Sequence, residues 1–355
     1  MEAILLVGGQ GSRLRPLTIS TPKPMLPVAG VPFLTHPLTR ARAAGVTRVV
    51  MATSYQPEVF EQHFGDGSAL GLELVYVTEI DPLGTGGALR NVVEHLDSGP
   101  DDPVLVFNGD VLSGLDLAGL VAEHQRSGAE ITLSLVRVPD PRAFGTVPTD
   151  GTGRVLQFLE KVEDPPTDAI NAGTYVFKRR QLDAIPAGRV VSVERETFPG
   201  LLAAGGHMHG VLDASYWLDI GTPQALVRGC ADVVLGVAPT PVVAAGSPAL
   251  VLPGAEVDPT AVVDGGSTVS AGAVVGADAQ VTGSVLCEGA RVEAGARVRA
   301  SVVGRDAVVG AGTVLDDVVV GDGASVGAGC ELRGGARVFP GAQISAGAIR
   351  FSSDR

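Results

Sequence analysis

Short runs of aliphatic residues alternate with segments of helical spacing along the first two thirds of the chain. The runs read AILLV, VTRVVMAT, LELVYV and PVLVFNGD. Such alternation is typical of strands joined by crossover helices, so it predicts an α/β fold with a mostly parallel sheet and helices on both faces. Because open sheets of this kind bind ligands at the carboxyl ends of their strands, we expect the functional residues there.

A different pattern occupies the last third of the chain. Aliphatic residues recur every six positions with two slips in phase, and Gly-Ala or another glycine pair often follows them. One inward aliphatic side chain per six residues is typical of a triangular coil with a short strand on each side, which predicts a parallel β-helix. The positions that we expect to point inward are 251, 257, 263, 269, 275, 281, 286, 292, 298, 302, 308, 314, 320, 326, 332, 338 and 344.

The two patterns predict two domains, as a chain of 355 residues readily allows. The α/β domain is expected over residues 1–235 and the hexapeptide-repeat domain over residues 250–355. Residues 236–249, which are rich in Pro, Gly and Ala, are expected to form the linker.

Composition argues against nucleic acid and membranes as partners. The chain has 39 acidic and 26 basic residues, a net charge of -13, and its basic residues form no long run. No apolar stretch reaches the length of a membrane span, and the first residues resemble a strand rather than a leader. Because Cys230, Cys287 and Cys330 lack a CxxC spacing, we expect free thiols and a cytoplasmic location.

A glycine-rich loop, VGGQGSRLRPLTISTPKPMLP, follows the first strand. Gly8, Gly9 and Gly11 allow the backbone to approach a ligand, and unpaired N–H groups there would bind phosphate oxygens. Arg13 and Lys23 add two cations that would stabilise a triphosphate. The spacing matches neither the P-loop nor the dinucleotide fingerprint, so a plain turn with solvated basic residues remains the alternative.

Two carboxylates follow predicted strands. Asp110 ends VLVFNGD, and Asp219 lies in SYWLDIGTP. Mg²⁺ is commonly held by one or two carboxylates while substrate phosphates supply further oxygens, so we predict one metal site from this pair. The alternative for Asp110 is an ordinary turn cap.

The segments between these carboxylates offer groups suited to a sugar phosphate. DPLGTGGAL is a second backbone cradle, and Glu160 with Lys161 would provide one acceptor and one cation, unless they form a solvated surface pair. Trp217 either walls a sugar pocket or fills the core. His207 and His209 have no evident third metal ligand nearby, so we expect a surface strand there.

Together these segments resemble the sugar nucleotidyltransferase family, whose signature GGxGxRLxPLTxxxPKPMLP is matched from Gly8 to Pro27. The resemblance covers residues 1–235, and the repeat extends it to the whole chain. It implies a Rossmann-like catalytic domain, a left-handed β-helix and Mg²⁺-assisted nucleotidyl transfer to a sugar 1-phosphate. INAGTYVF, SVERETFP and SYWLDIGTP are most similar to members that use GTP and mannose 1-phosphate.

The resemblance also implies residue roles. The catalytic residues are Arg13, which stabilises the pyrophosphate leaving group, Lys23 at the reacting phosphates, Lys161 at the sugar phosphate, and Asp110. The nucleotide-binding residues are Leu6, Gly8, Gly9, Gly11, Ser12, Arg13, Gly84, Thr85 and Asp110. The sugar-phosphate-binding residues are Gly145, Glu160, Lys161, Asn171, Gly173 and Asp219. The metal ligands are Asp110 and Asp219.

Two departures from the family pattern occur at these sites. EKP is replaced by EKV, with the prolines delayed to Pro165 and Pro166, and NSD is replaced by NGD. Neither change removes a predicted catalytic group.

Alternative functions remain open. Thymidylyl, uridylyl or heptose-1-phosphate guanylyl transfer would keep the reaction and change the substrate, because selectivity rests on a few hydrogen bonds. Acyl transfer by the repeat domain would typically need a histidine, and all six histidines precede that domain. A non-catalytic sensor would usually lack one of the four charged groups Arg13, Lys23, Asp110 and Asp219. We therefore interpret the β-helix as an assembly or regulatory module that forms a homo-oligomer.

Overall fold

The computed structural model describes residues 1–54, 56–244 and 246–350, so position 245 of the predicted linker and positions 351–355 of the predicted β-helix lie outside the described residues. The chain forms two compact units. The first contains Met1–Gly9 and Pro37–Trp217, and the second contains Gln10–His36 and Leu218–Arg355. The chain passes from one unit to the other inside the glycine-rich loop and inside SYWLDIGTP. The predicted domain boundaries, which follow sequence pattern rather than packing, stay a prediction.

Residues 1–234 contain thirteen strands and seven α-helices among the described residues. The strands are β1 (Glu2–Leu6), β2 (Pro27–Val28), β3 (Val31–Pro32), β4 (Arg48–Thr53), β5 (Glu73–Thr78), β6 (Pro103–Asn108), β7 (Val111–Ser113), β8 (Ile131–Arg137), β9 (Gly145–Thr146), β10 (Leu159–Glu160), β11 (Ala169–Lys178), β12 (Met208–Leu212) and β13 (Trp217–Asp219). The helices are α1 (Thr35–Ala43), α2 (Pro57–Phe64), α3 (Gly84–Val92), α4 (Leu117–Ser127), α5 (Arg179–Asp183), α6 (Phe198–Ala203) and α7 (Pro223–Val234).

The first unit is built on one nine-stranded sheet. Strands β5, β4, β1 and β6 are neighbours and run parallel, with Ile4 paired to Val50 on one side and to Val106 on the other. These aliphatic residues share a core cluster with Leu89 of α3. The predicted mostly parallel α/β sheet is thereby confirmed. Strand β11 runs antiparallel to both β6 and β8, an arrangement that the alternating pattern did not indicate.

The second unit contains the repeat, which forms three parallel sheets. Its strands are β14 (Ala249–Val251), β15 (Glu256–Val257), β16 (Val262–Asp264), β17 (Ser267–Val269), β18 (Val274–Val275), β19 (Gln280–Thr282), β20 (Val285–Leu286), β21 (Arg291–Val292), β22 (Arg297–Arg299), β23 (Val302–Val303), β24 (Val308–Val309), β25 (Val314–Asp316), β26 (Val319–Val320), β27 (Ser325–Val326), β28 (Glu331–Arg333), β29 (Arg337–Val338) and β30 (Gln343–Ile344). Within each sheet, neighbouring strands come from successive coils, as Val275 pairs with Val292. The predicted hexapeptide-repeat β-helix is confirmed.

The phase predicted for part of the repeat was wrong by one residue. The hydrophobic cluster inside the β-helix contains Val303, Val309 and Leu315, whereas the residues at positions 302, 308 and 314 are not part of it. The reason is a corner that is one residue shorter in the middle coils than in the first coil. The first coil has Gly265 and Gly266 at this corner, whereas a later coil has Ala300 alone, in the left-handed conformation (φ 46°). Position 251 also differs, because β14 is the end strand of its sheet and Val251 is 47% exposed.

The segment from Gln10 to His36 packs within the second unit. The Cys230 thiol of α7 donates to the carbonyl of Pro27, and a Cβ placed on Gly30 would lie 2.7 Å from Leu252. His36 Nδ1 lies 2.8 Å from Thr240 Oγ1, and burial lowers the pKa of this ring. The loop that carries Arg13 and Lys23 is therefore held by the same unit that contains the β-helix.

The three cysteines are unpaired and buried, in agreement with the prediction of free thiols. Burial raises the pKa of both Cys230 and Cys287 to about 12, so these thiols stay protonated at neutral pH. Among the described helices, none combines the length and the apolar character that a membrane span requires.

A ladder of buried serines stabilises one corner of the β-helix. Ser267 Oγ accepts from Ser284 N, Ser284 Oγ accepts from Ser301 N, and Ser301 Oγ accepts from Val318 N, at 3.0 to 3.1 Å. All three serines are at most 1% exposed. Each hydroxyl therefore satisfies an amide of the next coil that water cannot reach.

We expect Ser284→Ala to destabilise the β-helix by about 1–3 kcal/mol, because the amide of Ser301 loses its acceptor inside the coil. The midpoint of urea unfolding, followed by circular dichroism, should fall. Ser325→Ala is the control, since Ser325 is a half-buried residue that alternates with the inward Val326. Equal midpoints for the two variants would contradict the role of the ladder.

Candidate active site

The glycine-rich loop folds back on itself in the second unit. Gly11 has a positive φ of 60°, and a Cβ added there would lie 2.9 Å from Cβ of Lys23 and 3.0 Å from Cγ2 of Thr18. The Thr18 hydroxyl donates to the carbonyl of Gly11 at 2.9 Å. Only glycine meets both the conformation and the close approach, so the signature places Lys23 directly against Gly11.

Three charged residues of the predicted site meet in this unit. Lys23 Nζ lies 3.7 Å from Asp219 Oδ1, and the lysine side chain is only 11% exposed. The guanidinium of Arg13 packs on the backbone of Gly221, where an added Cβ would lie 2.7 Å from Nη2 and 3.2 Å from Asp219 Oδ1. The structure thus brings Arg13 and Lys23 of the signature together with the carboxylate of SYWLDIGTP.

Asp110 lies in the first unit, directly after β6. Gly109 N donates to the carbonyl of Leu6 at 2.9 Å, and a Cβ on Gly109 would lie 2.6 Å from that oxygen. The departure from NSD to NGD therefore has a local reason, since the turn packs on the end of β1. Asp110 is half-buried, and the single metal site predicted from Asp110 and Asp219 stays a prediction.

Gly8 follows β1 and lies beside the end of β4, where its carbonyl accepts from the hydroxyl of Ser54 at 2.5 Å. A Cβ on Gly8 would lie 2.8 Å from the same hydroxyl, whereas one on Gly9 would meet nothing within 4 Å. Ser12 is exposed at the start of a short 3-10 helix. The nucleotide contacts predicted for Gly8, Gly9 and Ser12 remain predictions.

Gly84 and Thr85 hold the SVERETFP segment in place. The Thr85 hydroxyl donates to Glu194 Oε2 at 2.8 Å and accepts from Val193 N at 2.9 Å. A Cβ on Gly84 would lie 2.7 Å from the carbonyl of Val191. The nucleotide contact predicted for this pair stays a prediction. The hydroxyl of Thr85 links DPLGTGGAL, in which it lies, to SVERETFP.

A small hairpin brings together the first group of residues predicted to bind the sugar phosphate. Gly145 of β9 is paired with Glu160 of β10, and a Cβ on Gly145 would lie 2.9 Å from Glu160 Oε2. Lys161 Nζ lies 3.4 Å from Glu160 Oε1, and its side chain is 59% exposed. Lys161 has a positive φ of 55° and donates its N–H to the carbonyl of Phe144.

The second group surrounds an irregularity in β11, where the register shifts between Asn171 and Tyr175. Asn171 donates through Nδ2 to Tyr175 Oη at 2.8 Å and accepts from Gly173 N at 3.1 Å. A Cβ on Gly173 would lie 2.9 Å from Nδ2 of Asn108. Tyr175 is fully buried, which raises its pKa and keeps the hydroxyl protonated.

Sequence reasoning missed Asn108 and Tyr175, although both lie inside quoted motifs. Asn108 packs against Gly173 in the bulge, since a Cβ on Gly173 would lie 2.9 Å from its Nδ2, and Tyr175 accepts from the predicted residue Asn171. The available signal was the amide in VLVFNGD, two residues before Asp110. The missing side chain of Gly173 leaves room for this amide beside the bulge in β11.

Trp217 connects the two groups. Its Nε1 donates to the carbonyl of Ala172 at 2.9 Å, and its ring forms a T-shaped contact with that of Phe144, with centroids 5.6 Å apart. The indole is therefore a half-buried support for the bulge in β11 and for the segment that leads into β9.

The expected surface strand at the histidine pair was partly wrong. His209 is buried, and its Nε2 lies 2.8 Å from Glu123 Oε1 of α4. The rings of His207 and His209 are 6.3 Å apart in an edge-on arrangement. Across the described residues, no group of three or more His, Cys, Asp or Glu side chains is arranged to hold a metal ion.

Comparison with known proteins places this architecture in a family. The nucleotidyl transferase family model matches residues 2–234, and the chain belongs to that family. Residues 246–350 match the model of the GMPPB C-terminal domain.

Individual relatives show which members of the family this chain is similar to. Mannose-1-phosphate guanylyltransferase of Mycobacterium tuberculosis is 60% identical over 261 residues, which cover 73% of this chain and 72% of the relative. Mannose-1-phosphate guanylyltransferase 1 of Arabidopsis thaliana is 38% identical over 231 residues, 64% of this chain and 63% of the relative.

Solved structures agree on the fold. HddC from Yersinia pseudotuberculosis, complexed with GMP-PN, has a TM-score of 0.56 and 26% identity over 64% of this chain and 97% of its own. A putative glucose-1-phosphate thymidylyltransferase from Bacillus anthracis has a TM-score of 0.59 at 24% identity, over 65% of this chain and 94% of its own. The second likeness concerns the fold alone.

We expect Gly109→Ser to lower the free energy of unfolding by about 1–3 kcal/mol, because the new Cβ overpacks against backbone at Leu6. The urea midpoint of the full chain provides the measurement. Gly151→Ser is the matched control, since a Cβ on Gly151 meets nothing within 4 Å. A midpoint no lower than that of the control would show that the turn at Asp110 tolerates the side chain.

Proposed function

We propose that the protein transfers GMP from GTP to mannose 1-phosphate and releases GDP-mannose and pyrophosphate. The observation that carries the proposal is the grouping of Arg13, Lys23 and Asp219, which provides two cations beside a glycine-rich backbone. The choice of GTP and mannose rests on the similarity to relatives named mannose-1-phosphate guanylyltransferase.

In the proposed reaction, a phosphate oxygen of mannose 1-phosphate attacks the α-phosphorus of GTP in line with the leaving group. The new P–O bond forms as the bond to the bridging oxygen of pyrophosphate breaks. The attacking phosphate is already anionic, so neither a covalent enzyme intermediate nor a side-chain base is needed. Catalysis rests on holding two anions together and on neutralising charge in the transition state.

The cations have separate tasks in this mechanism. Arg13 stabilises the departing pyrophosphate, and Lys23 faces the reacting phosphates. Lys161, which is exposed on the hairpin of the first unit, binds the phosphate of the incoming sugar. Because Lys23 is almost buried, its charge is screened less by water than that of a surface lysine.

Members of the family generally use a divalent metal, and we propose Mg²⁺ for this chain. Asp110 and Asp219 would hold it, and their donor sets fit, since Mg²⁺ prefers oxygen ligands and is commonly bound by one or two carboxylates. When bound, Mg²⁺ would neutralise phosphate charge and orient the substrate.

The groups around β11 are suited to sugar recognition. The Asn171 amide is oriented by two hydrogen bonds, because its Nδ2 donates to Tyr175 Oη and its Oδ1 accepts from Gly173 N. These bonds use the amide oxygen and one of the two N–H groups. An amide nitrogen has two donors, so the second can reach a sugar hydroxyl. Glu160 supplies an acceptor beside Lys161. We also propose that the protein works in the cytoplasm as a homo-oligomer assembled through the β-helix.

Substrate choice is tested by measuring pyrophosphate release with Mg²⁺ across GTP, dTTP, UTP, ATP and CTP, each with mannose, glucose and heptose 1-phosphates. We expect turnover largely confined to GTP with mannose 1-phosphate. Preferred turnover of dTTP with glucose 1-phosphate would overturn the substrate and keep the reaction class. No turnover in any combination would contradict the enzymatic function.

The roles of the cations are tested by Arg13→Ala and Lys23→Gln. We expect each to reduce kcat by about 10²-fold or more, by analogy with the loss of one oxyanion-hole donor. Arg142→Ala is the control, because Arg142 forms an exposed ion pair with Asp140. Retention of kcat within a few-fold in both site variants would contradict the mechanism.

A further inference from the structure

An arginine of the β-helix reaches the signature loop. Arg305 Nη2 donates to Ser20 Oγ at 3.2 Å and to Thr21 Oγ1 at 3.0 Å. The hydroxyl of Ser20 in turn donates to Asp322 Oδ2 at 2.9 Å. Residues 20 and 21 are therefore bonded to a pair of charged side chains that belong to two successive coils, all within the second unit.

The charged pair is itself firmly oriented. Arg305 donates to Asp322 Oδ2 through Nε at 3.1 Å and through Nη2 at 2.9 Å, while its backbone N–H donates to Asp322 Oδ1 at 2.9 Å. The coils are close here, since a Cβ on Gly304 would lie 2.7 Å from Asp322 N. Both oxygens of the carboxylate are thus engaged, which leaves the guanidinium little freedom to turn away from the loop.

A second arginine holds the same loop further upstream. Arg337 Nη1 donates to the carbonyl of Arg15 at 2.5 Å. This contact precedes the short 3-10 helix Leu17–Ile19, and the contacts of Arg305 follow it. The β-helix consequently holds the loop at both ends of that helix.

The held residues lie next to the proposed catalytic cations. Thr21 is separated from Lys23 by Pro22 alone, whose φ is -55°. Met25 N donates to the carbonyl of Pro22 at 2.8 Å, so the turn around Lys23 is closed. A proline has little torsional freedom, and a shift at Thr21 is therefore passed on to Lys23 rather than absorbed. Gly11 packs on Lys23, so the shift would also affect the loop near Arg13.

We propose that Arg305 and Asp322 are positioning residues, through which the β-helix sets the place of Lys23 and Arg13 and thereby the rate of nucleotidyl transfer. The kinetic part of this inference rests on the proposed function. The structural part, that Arg305 and Asp322 hold the signature loop, is independent of the proposed function. The repeat domain then serves the reaction directly, in addition to any role in assembly.

The chain offers a matched control for this pair. Arg299 donates to Asp316, also 17 residues further on, across the neighbouring coils of β22 and β25. Arg305 and Asp322 have the same spacing. Exposed ion pairs of this kind contribute about 0–1 kcal/mol, so Arg299→Ala removes a comparable contact without touching the signature loop.

The test compares Arg305→Ala with Arg299→Ala in the full chain. We expect Arg305→Ala to lower kcat roughly 10-fold or more with little change in KM, because a misplaced cation loses transition-state stabilisation more than substrate binding. We also expect faster hydrogen exchange in peptides covering residues 12–26. Arg299→Ala should change neither quantity, and the thermal midpoints of the two variants should agree.

Two further variants separate positioning from general destabilisation. Thr21→Val removes the acceptor and keeps the shape, so Arg305→Ala in that background should cost less than it does in the wild type. Arg305→Lys keeps the charge and one donor, and it should restore part of kcat. Full additivity in the double variant would overturn the proposal.

The remaining outcomes are decisive as well. If Arg305→Ala matches Arg299→Ala in kcat or in loop exchange, Arg305 does not position the loop for the reaction. If the wild-type protein turns over no sugar phosphate, the proposed function fails on its own. The exchange measurement then still decides, because faster exchange confined to Arg305→Ala would support the hold on the loop, and equal exchange would overturn it.

Discussion

The ion pair between Lys23 and Asp219 is the interaction on which the cationic part of the site depends. A lysine that is 11% exposed needs a counter-charge, because a desolvated ammonium without a partner is costly. The pair joins the signature loop to SYWLDIGTP, which lies far along the chain. Gly11 can pack on Lys23 only because it has no side chain, and Arg13 packs beside the same carboxylate. The residues of the signature therefore pack around the nearly buried charge of Lys23.

In the first unit, closely packed glycines position the residues of the predicted site. Gly109 packs on the carbonyl of Leu6, Gly145 on Glu160 and Gly173 on Asn108, each at a distance that a Cβ would not allow. These approaches set the places of Asp110, of the sugar-phosphate hairpin and of the bulge in β11. Glycine in these motifs thus positions other residues, whether or not its own N–H groups bind substrate.

The β-helix and the signature loop belong to the same compact unit, although the family models divide the chain near residue 240. A domain boundary drawn from sequence follows the change of repeat pattern, whereas a compact unit follows packing. The contacts of Arg305 and Arg337 with the signature loop show why the loop packs in the same unit as the β-helix, although the two are far apart in sequence. A rigid coil is well suited to hold a loop, because its strands are paired on both sides.

The sequence by itself determined the features that are local or periodic: the α/β alternation, the six-residue repeat, the signature loop and the family. Only the tertiary structure decided the phase at Val303, the bond of Thr85 to Glu194, the bond of Asn171 to Tyr175, and the pairing of Lys23 with Asp219. Periodicity reports which side chains share a face, and it reaches only as far as the chain keeps its period. A corner shortened by one residue changes the phase with little trace in composition. Contacts between distant motifs depend on the path of the whole backbone, which no short pattern records.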